Sequence, residues 1–72
     1  MILYAIKHKT KNKFITGTDF NYSPPRQILS DFESPLLLTE YNVLNEIKRR
    51  RIALRVYGVC QVEVKEVNTN GT

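Results

Sequence analysis

The sequence predicts a small α+β domain with a β-hairpin, a long loop, one amphipathic helix and a C-terminal strand, in the order ββαβ. Three observations lead to this fold class. Residues 1–18 contain two strand-like segments around a turn, residues 39–51 combine helix-start signals with an apolar stripe, and residues 55–64 alternate. A chain of 72 residues holds one core. We therefore expect a three- or four-stranded sheet with one helix packed on it, formed by residues 1–67, and a frayed tail over 68–72.

The first element is the hairpin. Side chains in residues 1–9 alternate between two sets, and β-branched and aromatic residues dominate the first half of this segment. The following Thr10-Lys11-Asn12 contains an Asn, which tolerates the left-handed backbone angles of tight turns. Strand-like residues resume over 13–18, so the two segments are expected to pair.

Residues 19–35 are predicted to form a long and mostly irregular connection, because Pro24, Pro25 and Pro35 remove backbone donors. Connections longer than about 12–15 residues are uncommon in compact domains and, when ordered, are often binding loops. Ile28 and Leu29 either form one helical turn or anchor the loop to the core, and the sequence leaves both open.

This loop holds the candidate protein-binding site. It places Phe20 and Tyr22 beside Pro24 and Pro25, followed by Arg26. Aromatic residues and Arg are enriched in interface hot spots, and proline limits the entropy lost on docking. In the alternative interpretation Phe20 and Tyr22 fold back as a lid over the core. The binding role and the lid role are compatible if one ring points inward and the other outward.

The helix is expected over residues 40–51. Thr39 can cap it, Glu40 complements the N-terminal dipole, and Leu38 and Val43 occupy the positions of a hydrophobic staple. The preceding residues 36–38 are a candidate for a short fourth strand. The predicted inner face of the helix consists of Glu40, Val43, Leu44 and Ile47.

The last strand, residues 55–64, is the clearest in the chain. Its predicted inner side chains are Val56, Gly58, Cys60, Val62 and Val64. Cys60 is accordingly expected to be a small buried thiol. One helix on such a sheet leaves the other face uncovered, carrying either Tyr57 and Val59 or Leu3 and Ala5, and a partner or a homodimer could cover that face.

The net charge of +4 conceals two basic blocks, residues 1–18 and 48–55, that flank an acidic segment, residues 19–47. This asymmetry suits electrostatic steering toward an acidic partner. The alternative is that lysines at the hairpin tip prevent edge-to-edge aggregation, and that the arginines complement the helix dipole and pair with Glu46. The candidate contacts for nucleic acid or an acidic partner are Lys9, Lys11, Lys13, Arg49, Arg50, Arg51 and Arg55.

Catalytic chemistry has little support in the sequence. The chain has one histidine, His8, and one cysteine, Cys60, so we expect no catalytic residues, no metal site and no cofactor. Asp31 and Glu33 are expected to be solvated loop charges. No segment resembles a signal peptide or a membrane span, which predicts a cytoplasmic protein without a membrane partner.

Four segments carry a family resemblance: Tyr4-Ala5-Ile6-Lys7, Phe14-Ile15-Thr16, Leu37-Leu38-Thr39-Glu40-Tyr41 and Val59-Cys60-Gln61-Val62-Glu63-Val64. Together they resemble short uncharacterised proteins of phages and mobile elements of Gram-positive bacteria, over roughly residues 1–67. The resemblance implies a small non-enzymatic protein that binds and modulates a host or defence protein in the bacterial cytoplasm.

The function expected from these observations is therefore inhibition or redirection of a protein partner through residues 20–26 together with one basic block. The alternative is a nucleic-acid-binding accessory protein whose lysine hairpin and arginine segment follow phosphates. A third hypothesis is a small dimeric structural or regulatory subunit.

Overall fold

The computed structural model describes residues 1–30 and 34–63. It confirms the predicted fold class, because the described strands form one four-stranded antiparallel sheet on which a helix packs. The elements are β1 (Ile2–His8), β2 (Phe14–Asp19), β3 (Arg26–Ser30), α1 (Val43–Arg49) and β4 (Tyr57–Glu63). The strand order is β3-β2-β1-β4, so β3 and β4 are the two edges.

Several expectations concern residues outside the described ranges. They are the solvated charges Asp31 and Glu33, the inward position of Val64, the end of the domain at residue 67 and the frayed tail 68–72.

The prediction of an irregular loop is wrong over Arg26–Ser30, which form β3 and pair with β2 in the register Ile15↔Leu29 and Asp19↔Arg26. The two prolines precede this strand, so their missing donors interrupt no ladder and the chain can return as a hairpin. No helical turn forms at Ile28 and Leu29. Leu29 packs against the core, as the second alternative for these residues expected.

Residues 36–38 form no strand; they lie between β1 and β2. The only β1–β2 partners in register are Lys7 and Phe14, near the hairpin turn. Beyond that point the amide of Leu36 donates to the carbonyl of Ile15 in β2 at 2.9 Å. Leu38 exchanges two hydrogen bonds with Tyr4 in β1, at 2.7 and 2.8 Å. The segment therefore fills the gap between two diverging strands and satisfies their backbone groups.

The helix is shorter than the predicted residues 40–51, because a separate turn precedes it. The Thr39 hydroxyl accepts from the Asn42 amide, and the Asn42 side-chain oxygen accepts from the Thr39 amide at 2.8 Å. This reciprocal pair closes the turn before the helix. The N-cap residue of α1 is Asn42, without a side-chain cap hydrogen bond, so the prediction that Thr39 caps the helix is wrong. The α-helix proper begins at Val43, and Leu44, predicted to face inward, is 69% exposed.

The core lies between the helix and one face of the sheet. It consists of Ile6, Ile15, Leu38, Ile47 and Ile52, with Leu29, Leu36, Val43 and Tyr57 packed against it. Residues directly opposed in an antiparallel pair share a face. In β1, His8 lies on the same face as the core residue Ile6, whereas Ala5 lies on the other face. Because His8 opposes Tyr57 and Ala5 opposes Cys60, Tyr57 lies on the helix side of the sheet and Cys60 on the opposite side.

The predicted alternation of side chains along β4 is therefore correct, but the set of side chains predicted to face the core is wrong. Gly58, Cys60 and Val62 share a face with Leu3 and Ala5, away from the helix. Cys60 is half-buried and lies outside the core cluster, so it is not the buried core thiol that was expected. The reason is that the helix covers the face of Ile6, and β1 fixes the register of β4.

Among the described residues, no helix is long and apolar enough to cross a membrane.

Candidate protein-binding loop and basic surfaces

Residues 20–25 connect β2 to β3 and form the aromatic loop. At its base Asp19 and Arg26 are cross-strand partners, and the Asp19 carboxylate accepts the amide of Asn21 at 2.9 Å. This is an Asx turn, which fixes the backbone where the loop leaves the strand. The Ser23–Pro24 peptide bond is cis. The loop is thus a short, hydrogen-bonded hairpin connection, and the predicted 17-residue irregular segment is correct only in part.

Both aromatic side chains of the loop are accessible: Phe20 is 49% exposed and Tyr22 is 46% exposed. A lid over the core would bury at least one of them, so the lid interpretation does not describe this loop. Each ring is covered by an arginine. The Arg26 guanidinium carbon lies 4.2 Å from the centroid of Tyr22, and that of Arg49 lies 5.1 Å from Phe20.

These cation–π contacts restrict the rings and place positive charge beside them. Arg26 comes from β3 and Arg49 from the last turn of α1, so two elements position the loop. The sequence-predicted set Phe20, Tyr22, Pro24, Pro25 and Arg26 is brought together, and the structure adds Arg49, which was predicted only as part of a basic block.

The Glu46 carboxylate holds the arginines at the end of the helix. Arg49 donates to both of its oxygens at 2.9 Å, and Arg50 donates to one of them at 3.0 Å. The hydrogen bonds of Arg49, then that of Arg50, and the charges of both arginines lower the pKa of Glu46 to about 2, against the effect of desolvation. The same pairing raises the pKa of Arg49. The expectation that Glu46 pairs with these arginines is confirmed.

Arg50 also ties the helix to the hairpin that carries the aromatic loop. Its guanidinium donates to the Thr18 hydroxyl at 3.0 Å, and that hydroxyl donates to the Gln27 side-chain oxygen at 2.7 Å. The Gln27 amide then donates to the carbonyl of Arg50 at 2.7 Å. The side chain of Arg50 is only 13% exposed, so it serves as a brace between α1 and the β2–β3 hairpin.

Arg51 follows Arg50, the C-cap residue of α1, and adopts the left-handed region with φ of 53°. The amide of Arg51 donates to the carbonyl of Lys48, and the amide of Ile52 donates to that of Ile47. These two bonds define a Schellman motif, which usually has Gly at this position. Ile47 and Ile52 are both buried and supply the apolar contact that accompanies the motif.

The lysine turn, residues 9–13, is organised by His8. The Nδ1 atom of His8 accepts from the amides of Thr10 and Lys11, both at 3.1 Å, while its ring meets Tyr57 edge-on. Neutral histidine has one acceptor nitrogen, so the ring hydrogen is on Nε2. Lys9, Lys11 and Lys13 are exposed, and the Lys9 amide donates to Val56, which brings the segment of exposed Arg55 beside this turn.

Six of the seven predicted basic contact residues, all except Arg51, therefore fall into two groups at opposite ends of β2. Lys9, Lys11, Lys13 and Arg55 belong to the end at the lysine turn, whereas Arg49 and Arg50 belong to the end at the aromatic loop. A strand of this length spans about 20 Å. Among the described residues, the two groups are therefore separated by about the length of β2.

Within the described parts of the chain, no group of three or more His, Cys, Asp or Glu side chains could hold a metal ion. Sequence reasoning missed Thr18 and Gln27. Their long-range bonds to Arg50 join positions 32 and 23 residues apart, and no local pattern marks them. Comparisons of the chain with protein-family models, curated proteins and solved structures give no match, so the geometry of the loop is what bears on function.

Proposed function

We propose that this protein is a non-catalytic binding protein that modulates a protein partner through its aromatic loop. The observation that carries the proposal is the pair of half-exposed rings, Phe20 and Tyr22, each stacked by an arginine. Aromatic and Arg side chains dominate interface hot spots.

Pre-organisation is the physical reason to favour this loop. Its backbone is fixed by the Asx turn at Asp19, and its position by the brace from Arg50 to Thr18. A loop that is already ordered loses less conformational entropy on docking, so more of the contact energy appears as affinity. The adjacent cation Arg26, which contacts the Tyr22 ring, favours a partner surface that is acidic around an apolar centre.

The resemblance to short phage and mobile-element proteins adds the kind of partner. It suggests a host or defence protein in the bacterial cytoplasm that is inhibited or redirected by binding. This part of the proposal rests on that resemblance.

Nucleic-acid binding is the competing function. The exposed lysine turn with the segment of Arg55 beside it favours this alternative. Against it, Arg49 and Arg50 are already paired with Glu46, and Arg50 is largely buried. These two arginines are less available for phosphate than the sequence implied.

The test is affinity capture by the full chain from a Gram-positive bacterial lysate, at low and moderate salt, with a nuclease-treated arm. A captured protein is identified, purified and titrated by calorimetry against the wild type, Phe20→Ala and Tyr22→Ala. Tyr41→Ala is the matched control, because Tyr41 is an aromatic residue outside the loop and is 89% exposed.

We expect each loop substitution to weaken binding by about 30-fold or more, the scale of a hot-spot residue. Tyr41→Ala should leave the affinity unchanged. Equal affinity of all the variants would refute the assignment of the loop. Retention that vanishes with nuclease or falls steeply with salt would favour nucleic acid instead, and substitution of Lys9 and Lys11 would then be the appropriate follow-up.

A further inference from the structure

The two edges of the sheet differ in how they are protected against pairing. The β3 edge has five residues, follows Pro24 and Pro25, begins with Arg26, and pairs with β2 through a register shift between Ile15 and Gly17. Short length, proline, charge and bulges are the usual devices that prevent edge-to-edge association.

The β4 edge has almost none of these devices. It runs for seven residues, from Tyr57 to Glu63, and pairs one-to-one with β1 along its whole length. It contains no proline, no lysine and no register shift, and its only charge is the terminal Glu63. Within residues 1–30 and 34–63, β1 is the only strand that pairs with β4.

The hydrogen bonds of β1 show which groups of β4 point outward. Tyr4 and His8 direct their backbone groups toward Leu38 and Lys13, on the β2 side. Alternation then directs those of Leu3, Ala5 and Lys7 toward β4, where they oppose Val62, Cys60 and Gly58. The amides and carbonyls directed to the outer edge are therefore those of Tyr57, Val59, Gln61 and Glu63.

We propose that β4 pairs antiparallel with β4 of a second copy of this chain, about a two-fold axis that passes through Cys60. This register pairs the entire strand and places the outward groups of Val59 opposite those of Gln61 of the second copy. A two-fold axis through any other residue of β4 would leave part of the strand unpaired.

The side chains that would face each other also support a second copy of this chain as the partner of β4. Tyr57 would face Glu63 of the second copy and Val59 would face Gln61, so no like charges meet across the axis. Val59 is 43% exposed in the single chain and would gain cover. The association closes at two copies, because it consumes both β4 edges and leaves only the protected β3 edges.

Cys60 supplies a direct reporter of the register. It would face Cys60 of the second copy in a non-hydrogen-bonded pair, with Cα atoms about 4.5 Å apart. That separation lies within the range that a disulfide can bridge. Diamide, a two-electron oxidant that takes up the two thiol hydrogens, should therefore join the two Cys60 sulfurs of the wild type as a disulfide. Cys60→Ser should abolish this link and preserve the non-covalent dimer.

The decisive comparison uses two variants that differ at one residue, measured by sedimentation velocity over a dilution series. V59K/Q61K places lysine opposite lysine at both symmetric pairs, whereas V59K/Q61E places lysine opposite glutamate. Val59 and Gln61 are exposed, so both variants should keep the monomer fold, which circular dichroism verifies. We expect the dimer dissociation constant of V59K/Q61K to exceed that of V59K/Q61E by about 10- to 30-fold.

A wild type that sediments as a monomer throughout the series would overturn the proposal. Equal dissociation constants for the two variants, or a wild-type dimer that oxidation does not link, would overturn the register. The dimer does not depend on the aromatic loop, and Phe20→Ala and Tyr22→Ala should leave it intact. Failure of this inference and failure of the proposed function are therefore distinguishable.

Discussion

Replacement of Arg51 by glycine should make this protein more stable. Arg51 has φ of 53° because the Schellman motif requires a left-handed residue after the helix. An L-residue with a side chain pays about 1–2 kcal/mol for this conformation. Glycine escapes that cost but loses about 0.5–1 kcal/mol more backbone entropy on folding. The difference predicts a gain of about 0.5–1 kcal/mol in the free energy of unfolding.

Urea denaturation measures this gain as a rise in midpoint with an unchanged slope. In a domain of this size the melting temperature should rise by about 2–8 °C. Arg51→Ala is the control for the lost charge and should show no comparable gain, because alanine keeps the strain. Arg51→Asn should lie between the two, since asparagine tolerates the left-handed region. If Arg51→Gly were no more stable than Arg51→Ala, the strain argument would be refuted.

Three further predictions concern the polar contacts. Folding lowers the pKa of Glu46 from 4.5 to about 2. The contribution of Glu46 to stability is therefore complete above the pKa of the unfolded state and is lost as pH falls through the pKa of the folded state. Glu46→Gln should remove this part of the acid dependence of stability, which urea denaturation at several pH values between these two pKa values measures. Thr18→Val and Arg50→Ala should each destabilise the fold, with a coupling of about 1 kcal/mol in the double mutant measured by urea denaturation. His8→Ala should accelerate hydrogen exchange at the amides of Thr10 and Lys11, whereas His8→Asn, which retains an acceptor, should protect them.

The elements with local signals were predictable. The first hairpin and β4 follow from side-chain alternation, and the helix follows from its apolar positions and from Thr39. The predicted boundaries of the helix were too wide, because Thr39 pairs with Asn42 in a separate turn before Val43. The sequence signal marked where the chain turns, without distinguishing a turn from the first helical residues.

β3 was missed because its signal was weaker than that of its neighbours. The prolines before it indicated irregular structure, although they lie in the hairpin connection and not in the strand. Gln27 and Leu29 face the helix while Ile28 is on the other side, so the alternation was present over five residues. The face of Cys60 was beyond local reasoning, because the strand alternation is the same whichever side the helix covers.

The composition of residues 20–25 indicates a loop, which the structure shows to be shorter than the predicted segment, and its supports come from distant parts of the chain. Arg49 reaches Phe20 from the helix, and Arg50 reaches Thr18 across 32 positions. Such contacts depend on how the helix docks on the hairpin. Their partners follow no spacing rule that a single sequence reveals.

The run of basic residues at the helix end illustrates why a charge block is not a surface. Consecutive helical residues are rotated by about 100°, so neighbours point in different directions. Arg49 stacks on Phe20, Arg50 braces Thr18, and Arg51 occupies the strained turn. Substitution of the whole run would combine a loss at the proposed binding site, a loss of fold stability and a gain from relieved strain. Single substitutions separate these effects, and we expect Arg49→Ala to weaken partner binding with less effect on stability than Arg50→Ala.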